Sequence, residues 1–260
     1  MNQKITFDDG AAYERGMGEW SKLVGTIFLD WLAPAPGQRW VDIGCGNGAF
    51  TELVIQRCAP AEIRGIDPSP GQLEFARTRP GARGARFEIG DAHALPFATG
   101  SADIAVMALV IFFLDDPAAG LAEMRRVVRS GGLVAAYAWD IPARSFPLEP
   151  IQAELRAIGL SPALPPNAEI ARTEALNAAW EQAGLTNLRQ REIPVTRSYV
   201  DFEDFWAAML GTGSMRASLE KLEPSVQRDL KDRVRDKLSP AADGSVSYSA
   251  SANAIVGQVP

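Results

Sequence analysis

VDIGCGNGAF, residues 41–50, sets three glycines, Gly44, Gly46 and Gly48, at alternate positions directly behind a short apolar run. An apolar run, a glycine turn and then the amphipathic stretch NGAFTELVIQRC read as strand, loop and helix. Glycine permits unusual dihedrals and lets a ligand come close to the main chain. The free N–H groups at the start of the following helix point toward that ligand. The stretch is therefore an anion- or nucleotide-binding device. Read as G-x-G-x-x-A over Gly44, Gly46 and Ala49, it also meets a loose dinucleotide fingerprint, with Asp67 about 20 residues further on. On these residues an NAD-type site and another adenosine ligand stand nearly level.

The neighbouring sequence repeats the alternation. RWVDIG is a short buried strand, EIRGID (62–67) a second that closes on Asp67, and ARFEIGDA (85–92) a third. SPGQLEFARTR reads as a helix between the last two. ADIAVMALVIFFL (102–114) starts as a buried strand and is expected to turn helical near Ala108. DPAAGLAEMRRVVRSGGLVAAYAWD is a helix–turn–strand unit with Asp116 as N-cap and Pro117 at the first helical position. Arg125, Arg126 and Arg129 are expected in its last turn, and Gly131 or Gly132 at its left-handed C-cap. Strands alternating with helices through residue 139 imply a parallel sheet covered on both faces.

Outside this core the pattern changes. Trp20, Leu23, Val24, Ile27, Phe28 and Trp31 form one apolar stripe, so residues 1–33 are expected to be an N-terminal helical lid. Proline-rich segments around a helical piece at 149–158 read as an inserted cap. Residues 140–184 and 201–240 are assigned to cap and substrate helices, and 187–200 and 246–257 to closing strands. The expected fold is α/β: a Rossmann-like, seven-stranded, mostly parallel sheet with helices on both faces, an antiparallel C-terminal strand and a helical cap, in one domain over 1–260.

Composition narrows the function. The net charge is -6, with 26 Lys and Arg against 32 Asp and Glu, and there is no basic arm. Nucleic acid is therefore not an expected partner. The two cysteines, Cys45 and Cys58, do not make a disulfide framework. No run reaches the length of a membrane span and the N-terminus lacks an apolar signal core, so a cytoplasmic protein is expected. No metal site is expected.

Four segments, in order and spacing, break the tie between the two ligand classes. Asp42-Ile43-Gly44-Cys45-Gly46-Asn47-Gly48 resembles the first motif of class I S-adenosylmethionine-dependent methyltransferases. Gly65-Ile66-Asp67-Pro68-Ser69 resembles their second-strand acid, and Gly90-Asp91-Ala92-His93-Ala94-Leu95-Pro96-Phe97 their adenine-binding turn. Arg126-Val127-Val128-Arg129-Ser130-Gly131-Gly132 is similar to the turn before their fifth strand. The opening YERGMGEW also resembles the small-molecule subgroup related to quinone-biosynthesis (type 11) methyltransferases.

The resemblance implies S-adenosylmethionine as cofactor, S-adenosylhomocysteine as product and a small-molecule acceptor. Cofactor contacts are expected at Tyr13, Trp20, Asp42, Gly44, Cys45, Gly46, Asp67, Pro68, Ser69, Asp91, Ala92 and Met107. Asp67 would take the ribose hydroxyls and Asp91 the adenine amino group. Asp42 has an equal structural reading, as an anchor for loop N–H groups, and Trp20 an equal one as core. Phe112, Phe113, Trp139, Phe146 and Trp206 are the candidate acceptor pocket, which suits an apolar or aromatic acceptor, with core packing as the stronger reading of Trp206. Methyl transfer from a sulfonium needs mainly alignment and desolvation, so no catalytic residue is assigned. His93, the one histidine, is read as a bystander. An NAD-dependent oxidoreductase and a non-catalytic cofactor-binding module are the alternatives.

Overall fold

The computed structural model describes residues 14–211 and 213–260. Seven strands form one sheet in the order β3-β2-β1-β4-β5-β7-β6. They are β1 (Arg39–Ile43), β2 (Glu62–Asp67), β3 (Arg86–Ile89), β4 (Ala102–Ala108), β5 (Val128–Trp139), β6 (Thr186–Tyr199) and β7 (Val246–Gln258). The first five pair in parallel, and β7 runs antiparallel to both β5 and β6. β4 is buried at every position from Ala102 to Met107. Unbroken burial along a strand requires cover on both faces, the signature of a sheet sandwiched between helices. The chain winds outward from β1 to β3, then returns to the other side of β1 at β4. Ligands in such sheets bind beyond the strand ends at that switch point.

The helices follow their sequence signals. In chain order they are α1 (Glu19–Leu32), α2 (Ala49–Cys58), α3 (Pro70–Thr78), α4 (Pro117–Val127), α5 (Glu149–Ala157), α6 (Thr173–Gln182), α7 (Phe202–Leu210), α8 (Gly213–Leu219) and α9 (Pro224–Lys237). Asp116 caps α4 by accepting the Ala119 N–H, with Pro117 at the first position. Ser69 caps α3. α1 buries Trp20, Val24, Phe28 and Leu32, and Phe28 meets Phe50 of α2 and Tyr137 of β5.

Five expectations are corrected. β4 ends at Ala108, and only a single 3-10 turn, Ile111–Phe113, follows. The third strand stops at Ile89. α4 ends at Val127 with Val128 as an extended C-cap, so Gly131 uses its positive φ inside β5 rather than at a helix end. Arg129 therefore lies on β5, where it pairs with Asp103 instead of capping α4. Finally, the expected cap at 140–184 divides in two. α6 lies on the sheet, because Trp180 is fully buried and donates its Nε1–H to the Val134 carbonyl. α5 instead joins α7, α8 and α9 in a second apolar cluster built on Ile151, Leu155, Phe205, Met209 and Leu230.

A buried aspartate near each rim of the sheet, Asp103 and Asp42, is held in opposite ways. At the N-terminal rim, Asp103 accepts from Arg39 N (2.8 Å), Arg39 Nε (3.0 Å) and Arg129 Nε (2.5 Å). Hydrogen bonding from the Arg39 side chain, against a smaller cost of burial, holds this carboxyl far below its usual range. At the C-terminal rim, Asp42 has no exposed surface. Burial pushes its carboxyl up to about 7, partly offset by the Thr51 hydroxyl and reinforced by the charge on Asp67.

Opposite pH slopes are expected. Asp103 stabilises the fold above its unfolded value of about 3.9, and that contribution is lost as the pH falls toward its lower folded value. Asp42 is stabilising below about 3.9, while it is neutral, and its contribution is lost as the pH rises through about 7. Urea midpoints should therefore show Asp103→Asn costing roughly 1 kcal/mol at pH 7, given two half-exposed arginine partners, and progressively less as the pH is lowered below about 4. The stability gap between the wild type and Asp42→Asn should shrink as the pH rises from 4 to 8. Parallel pH curves for both variants and the wild type would overturn the assignment.

Candidate active site

The glycine loop is stapled to the tip of β2. Gly44 N and Cys45 N both donate to the Ile66 carbonyl, at 2.7 and 3.0 Å. Gly46 N donates to Asp67 Oδ2 at 2.9 Å. Gly44 and Gly46 hold φ of +71° and +52°, a region that side chains with a Cβ disfavour. A Cβ on Gly44 would lie 2.6 Å from the Val110 methyls, whereas one on Gly46 would meet nothing closer than Gln72 Oε1 at 3.9 Å. Between the buried Asp42, Cys45 and Asn47, the two glycines are the partly exposed positions of the loop. The main chain at Gly46 thus faces open space.

Two acids stand beside that space. Asp67 ends β2 and is mostly buried; its Oδ1 accepts from Ser69 N at 2.9 Å. Burial raises its carboxyl, opposed by the Ser69 and Gly46 N–H groups. Gly90 N donates to the Asp67 carbonyl, which brings the Asp91 turn alongside. Asp91 is exposed, and its Oδ1 accepts the His93 N–H at 2.9 Å and lies 2.7 Å from His93 Nδ1. Those bonds, led by the backbone one, lower the Asp91 carboxyl. His93 is thereby the residue that orients Asp91. The rest of the turn is held from α4: Glu123 accepts Leu95 N, and Arg126 donates to the Leu95 and Phe97 carbonyls. Pro68 and Ala92 leave surface exposed on either side.

Other expected cofactor residues sit deeper. Asp42 Oδ2 accepts the Thr51 hydroxyl at 2.6 Å, and its buried Oδ1 has no partner among the described residues. Cys45 packs its sulfur against Gly65, and burial drives its thiol well up, so it is not a poised nucleophile. Met107 is fully buried with its methyl toward Gly120 of α4. Trp20 is fully buried and donates its indole N–H to the Tyr199 hydroxyl at 3.0 Å, the core role of its two readings. Tyr13 lies outside the described residues. The open backbone at Gly46, carboxylates on adjacent strand tips and the absence of a lysine in the loop fit an adenosyl ligand without phosphate, as in S-adenosylmethionine.

The acceptor candidates divide as well. Phe112, Phe113, Trp139 and Phe146 belong to the main apolar cluster, and the Phe112 and Phe113 rings meet edge-on at 4.6 Å. Trp206 does not join them. It stacks on Phe202 at 6.0 Å inside the cap cluster, with the Lys231 ammonium 5.7 Å from its ring centre. Tyr199 is committed to Trp20, and burial pushes its hydroxyl up to about 12, which disqualifies it as a base at neutral pH.

Sequence reasoning missed three features here. Leu109, just past β4, holds φ of +63° while buried. A bulky side chain there stores strain of a kind found at functional sites. It aims Val110 at Gly44, and nothing in the local sequence signals it. The second is a polar stripe on α5: Glu149, Gln152 and Arg156, spaced to share one helix face. Glu149 Oε2 and Gln152 Oε1, together with the nearly buried Trp139 Nε1, have no partner among the described residues. The third is Arg79, which donates to the Asn47 carbonyl at the centre of the glycine loop.

A protein-family model described as a methyltransferase domain matches residues 41–136. The chain is 32% identical to the demethylmenaquinone methyltransferase of Renibacterium salmoninarum, over 64% of this chain and 68% of the relative. It is 30% identical to the aklanonic acid methyltransferase DauC of a Streptomyces species, over 55% of this chain and 68% of the relative. The chain spans less than half the length of several other relatives it matches, such as a malonyl-[acyl-carrier protein] O-methyltransferase of Methylococcus capsulatus, 36% identical over 46% of that protein and 50% of this chain. Among solved structures, the methyltransferase in complex with the Haloferax volcanii Trm112 activator superposes with a TM-score of 0.63 at 18% identity, covering 99% of both chains. Phosphoethanolamine N-methyltransferase 2 of Haemonchus contortus, solved with S-adenosyl-L-methionine, gives 0.58 at 17% identity, over 96% of this chain and 56% of that one. The family model lies on the strands that carry the glycine loop and Asp67, and two relatives are matched over two thirds of their length, so this chain belongs to the S-adenosylmethionine-dependent methyltransferases.

Proposed function

We propose that the protein methylates a small acceptor that joins an apolar body to a hydrogen-bonding group. When bound, S-adenosylmethionine supplies an electrophilic methyl on a cationic sulfur, whose loss to a nucleophile leaves a neutral thioether. Asp67 would accept the ribose hydroxyls, Asp91 the adenine amino group, and the Ala92 N–H would donate to the ring. Pro68 and Ser69 would flank the base, and the bare Gly44–Gly46 backbone would pass the methionine portion. The observation that carries this reading is Asp67: a mostly buried carboxylate whose oxygens already hold Gly46 N–H and Ser69 N–H, beside an open main chain. A carboxylate fixed from both sides can receive a diol without reorganising.

For the acceptor, Phe112, Phe113, Trp139 and Phe146 offer apolar cover, and the α5 stripe offers the polar end. Buried polar atoms of folded proteins nearly always find partners. Glu149 Oε2, Gln152 Oε1 and the Trp139 N–H, at the C-terminal end of β5 and on the helix beyond it, support a ligand with its own donor and acceptor. Tyr248 stays protonated there, because burial and then the Glu149 charge push its hydroxyl up to about 12. The demethylmenaquinone and aklanonic acid of the relatives' names suit this class of acceptor. No side chain is assigned as a base; the chain's own contribution is to align the two substrates and exclude water.

Calorimetric titration with S-adenosylhomocysteine tests the cofactor reading. Asp67→Asn should weaken binding roughly 10- to 100-fold, the loss expected for charge-assisted hydrogen bonds, while NAD should not bind. Tight NAD binding without S-adenosylhomocysteine binding would restore the oxidoreductase alternative. For the acceptor pocket, Gln152→Leu should leave thermal stability unchanged or raise it by about 1 kcal/mol, because it removes a buried acceptor that has no partner among the described residues. The same change should lower turnover of a hydroquinone acceptor; a stability loss above about 2 kcal/mol would instead mark Gln152 as structural.

A further inference from the structure

Arg79 follows α3 and precedes Pro80, which holds it extended at φ -66° and ψ 121°. It is the buried arginine of the described residues, and each nitrogen of its guanidinium is engaged. Nε donates to the Asn47 carbonyl at 2.6 Å, Nη1 to Glu52 Oε2 at 3.0 Å, and Nη2 to Glu14 Oε2. Asn47 Nδ2 donates to the same Glu14 oxygen at 3.0 Å, and Lys22 lies 3.3 Å from its other one. Glu52 in turn accepts the Gly81 N–H. Burial raises the Glu14 carboxyl, but Arg79, Asn47 and Lys22 together outweigh it and hold the group ionised.

The two carboxylates on Arg79 do different things. Glu52 is on α2, so that arm only binds the frame to itself. Glu14 belongs to the turn Glu14–Gly18 that leads into α1, so that arm fastens the N-terminal turn to the glycine loop. The fastening point is Asn47, the residue between Gly46 and Gly48. Asn47 is fully committed: its carbonyl to Arg79, its amide nitrogen to Glu14 and its Oδ1 to the Ala49 N–H. A shift of Glu14 therefore reaches the peptide beside Gly46, whose N–H is held by Asp67. An arginine fork satisfies two carboxylates and a carbonyl in one plane, which a lysine cannot do.

We propose that Arg79 is a positioning residue for the cofactor, clasping Glu14 and the Asn47 carbonyl together so that the N-terminal turn sets the geometry of the glycine loop. This rests on the S-adenosylmethionine reading above. Calorimetry with S-adenosylhomocysteine on the full chain, paired with hydrogen exchange at Gly46–Gly48, is the test. Glu14→Gln and Arg79→Lys should each weaken binding about tenfold and speed exchange of the loop amides. The double variant should be no worse than the weaker-binding single, because both remove one clasp. Glu52→Gln breaks the other arm of the same guanidinium; it should lower the melting temperature yet change affinity less than threefold. Equal affinity and equal loop exchange in Glu14→Gln and wild type would overturn the clasp. So would affinity losses in all three variants that simply track their melting temperatures. Failure of the wild type to bind S-adenosylhomocysteine would instead overturn the cofactor reading.

Discussion

Three N–H groups of the glycine loop end on the tip of one strand: Gly44 and Cys45 on the Ile66 carbonyl, Gly46 on the Asp67 carboxylate. This staple turns a bare, conformationally free stretch into a defined surface. It needs β1 and β2 side by side and in parallel, in the register that pairs Ile43 with Ile66. It also fixes the Asp67 carboxylate, which accepts Gly46 N–H on one oxygen and Ser69 N–H on the other. The sheet, the helices that cover it and the N-terminal turn all serve to keep these strand ends in place.

The two rims of the sheet are built on different terms. At the N-terminal rim charge is paired: Asp103 sits between Arg39 and Arg129. At the C-terminal rim polarity is left open. Asp42 Oδ1, Trp139 Nε1, Gln152 Oε1 and Glu149 Oε2 are without partners among the described residues, and Leu109 carries a left-handed backbone. Unpartnered buried polar atoms gather at the C-terminal rim, and functional sites are where proteins tolerate such violations. The asymmetry agrees with the placement of ligands beyond the carboxyl ends of strands.

The cap has its own apolar cluster, joined to the main core through the shared residues Leu148 and Tyr248. α5 presents Ile151 and Leu155 to that cluster and its polar stripe on an adjacent face. Under the proposed function the sheet holds the cofactor and the cap supplies the polar end of the acceptor site. The family model stops at residue 136, before the cap begins. The proposed acceptor elements are therefore the part of the chain that the family resemblance describes least.

Residues 39–139 were legible because their signals are local. A buried strand, a positive-φ glycine, an N-cap such as Asp116 and a strand-end acid each declare themselves within a few residues, and their order dictates the winding of the sheet. The glycine loop, Asp67 and the antiparallel last strand were all readable in this way. What the tertiary structure alone decided was which side chains share a space. Trp20 and Trp206 each carried a site reading and a packing reading from sequence; the folded chain shows the Trp20 indole bonded to Tyr199 and Trp206 stacked on Phe202. Arg129 passed for a helix-end cation until a long-range partner, Asp103, claimed it. Glu14, Asn47 and Arg79 are 32 and 33 residues apart along the chain and carry no motif. Periodicity specifies which face of an element is buried, whereas pairing of charges and polar atoms depends on where distant elements meet, and only the folded chain brings those partners within hydrogen-bonding distance.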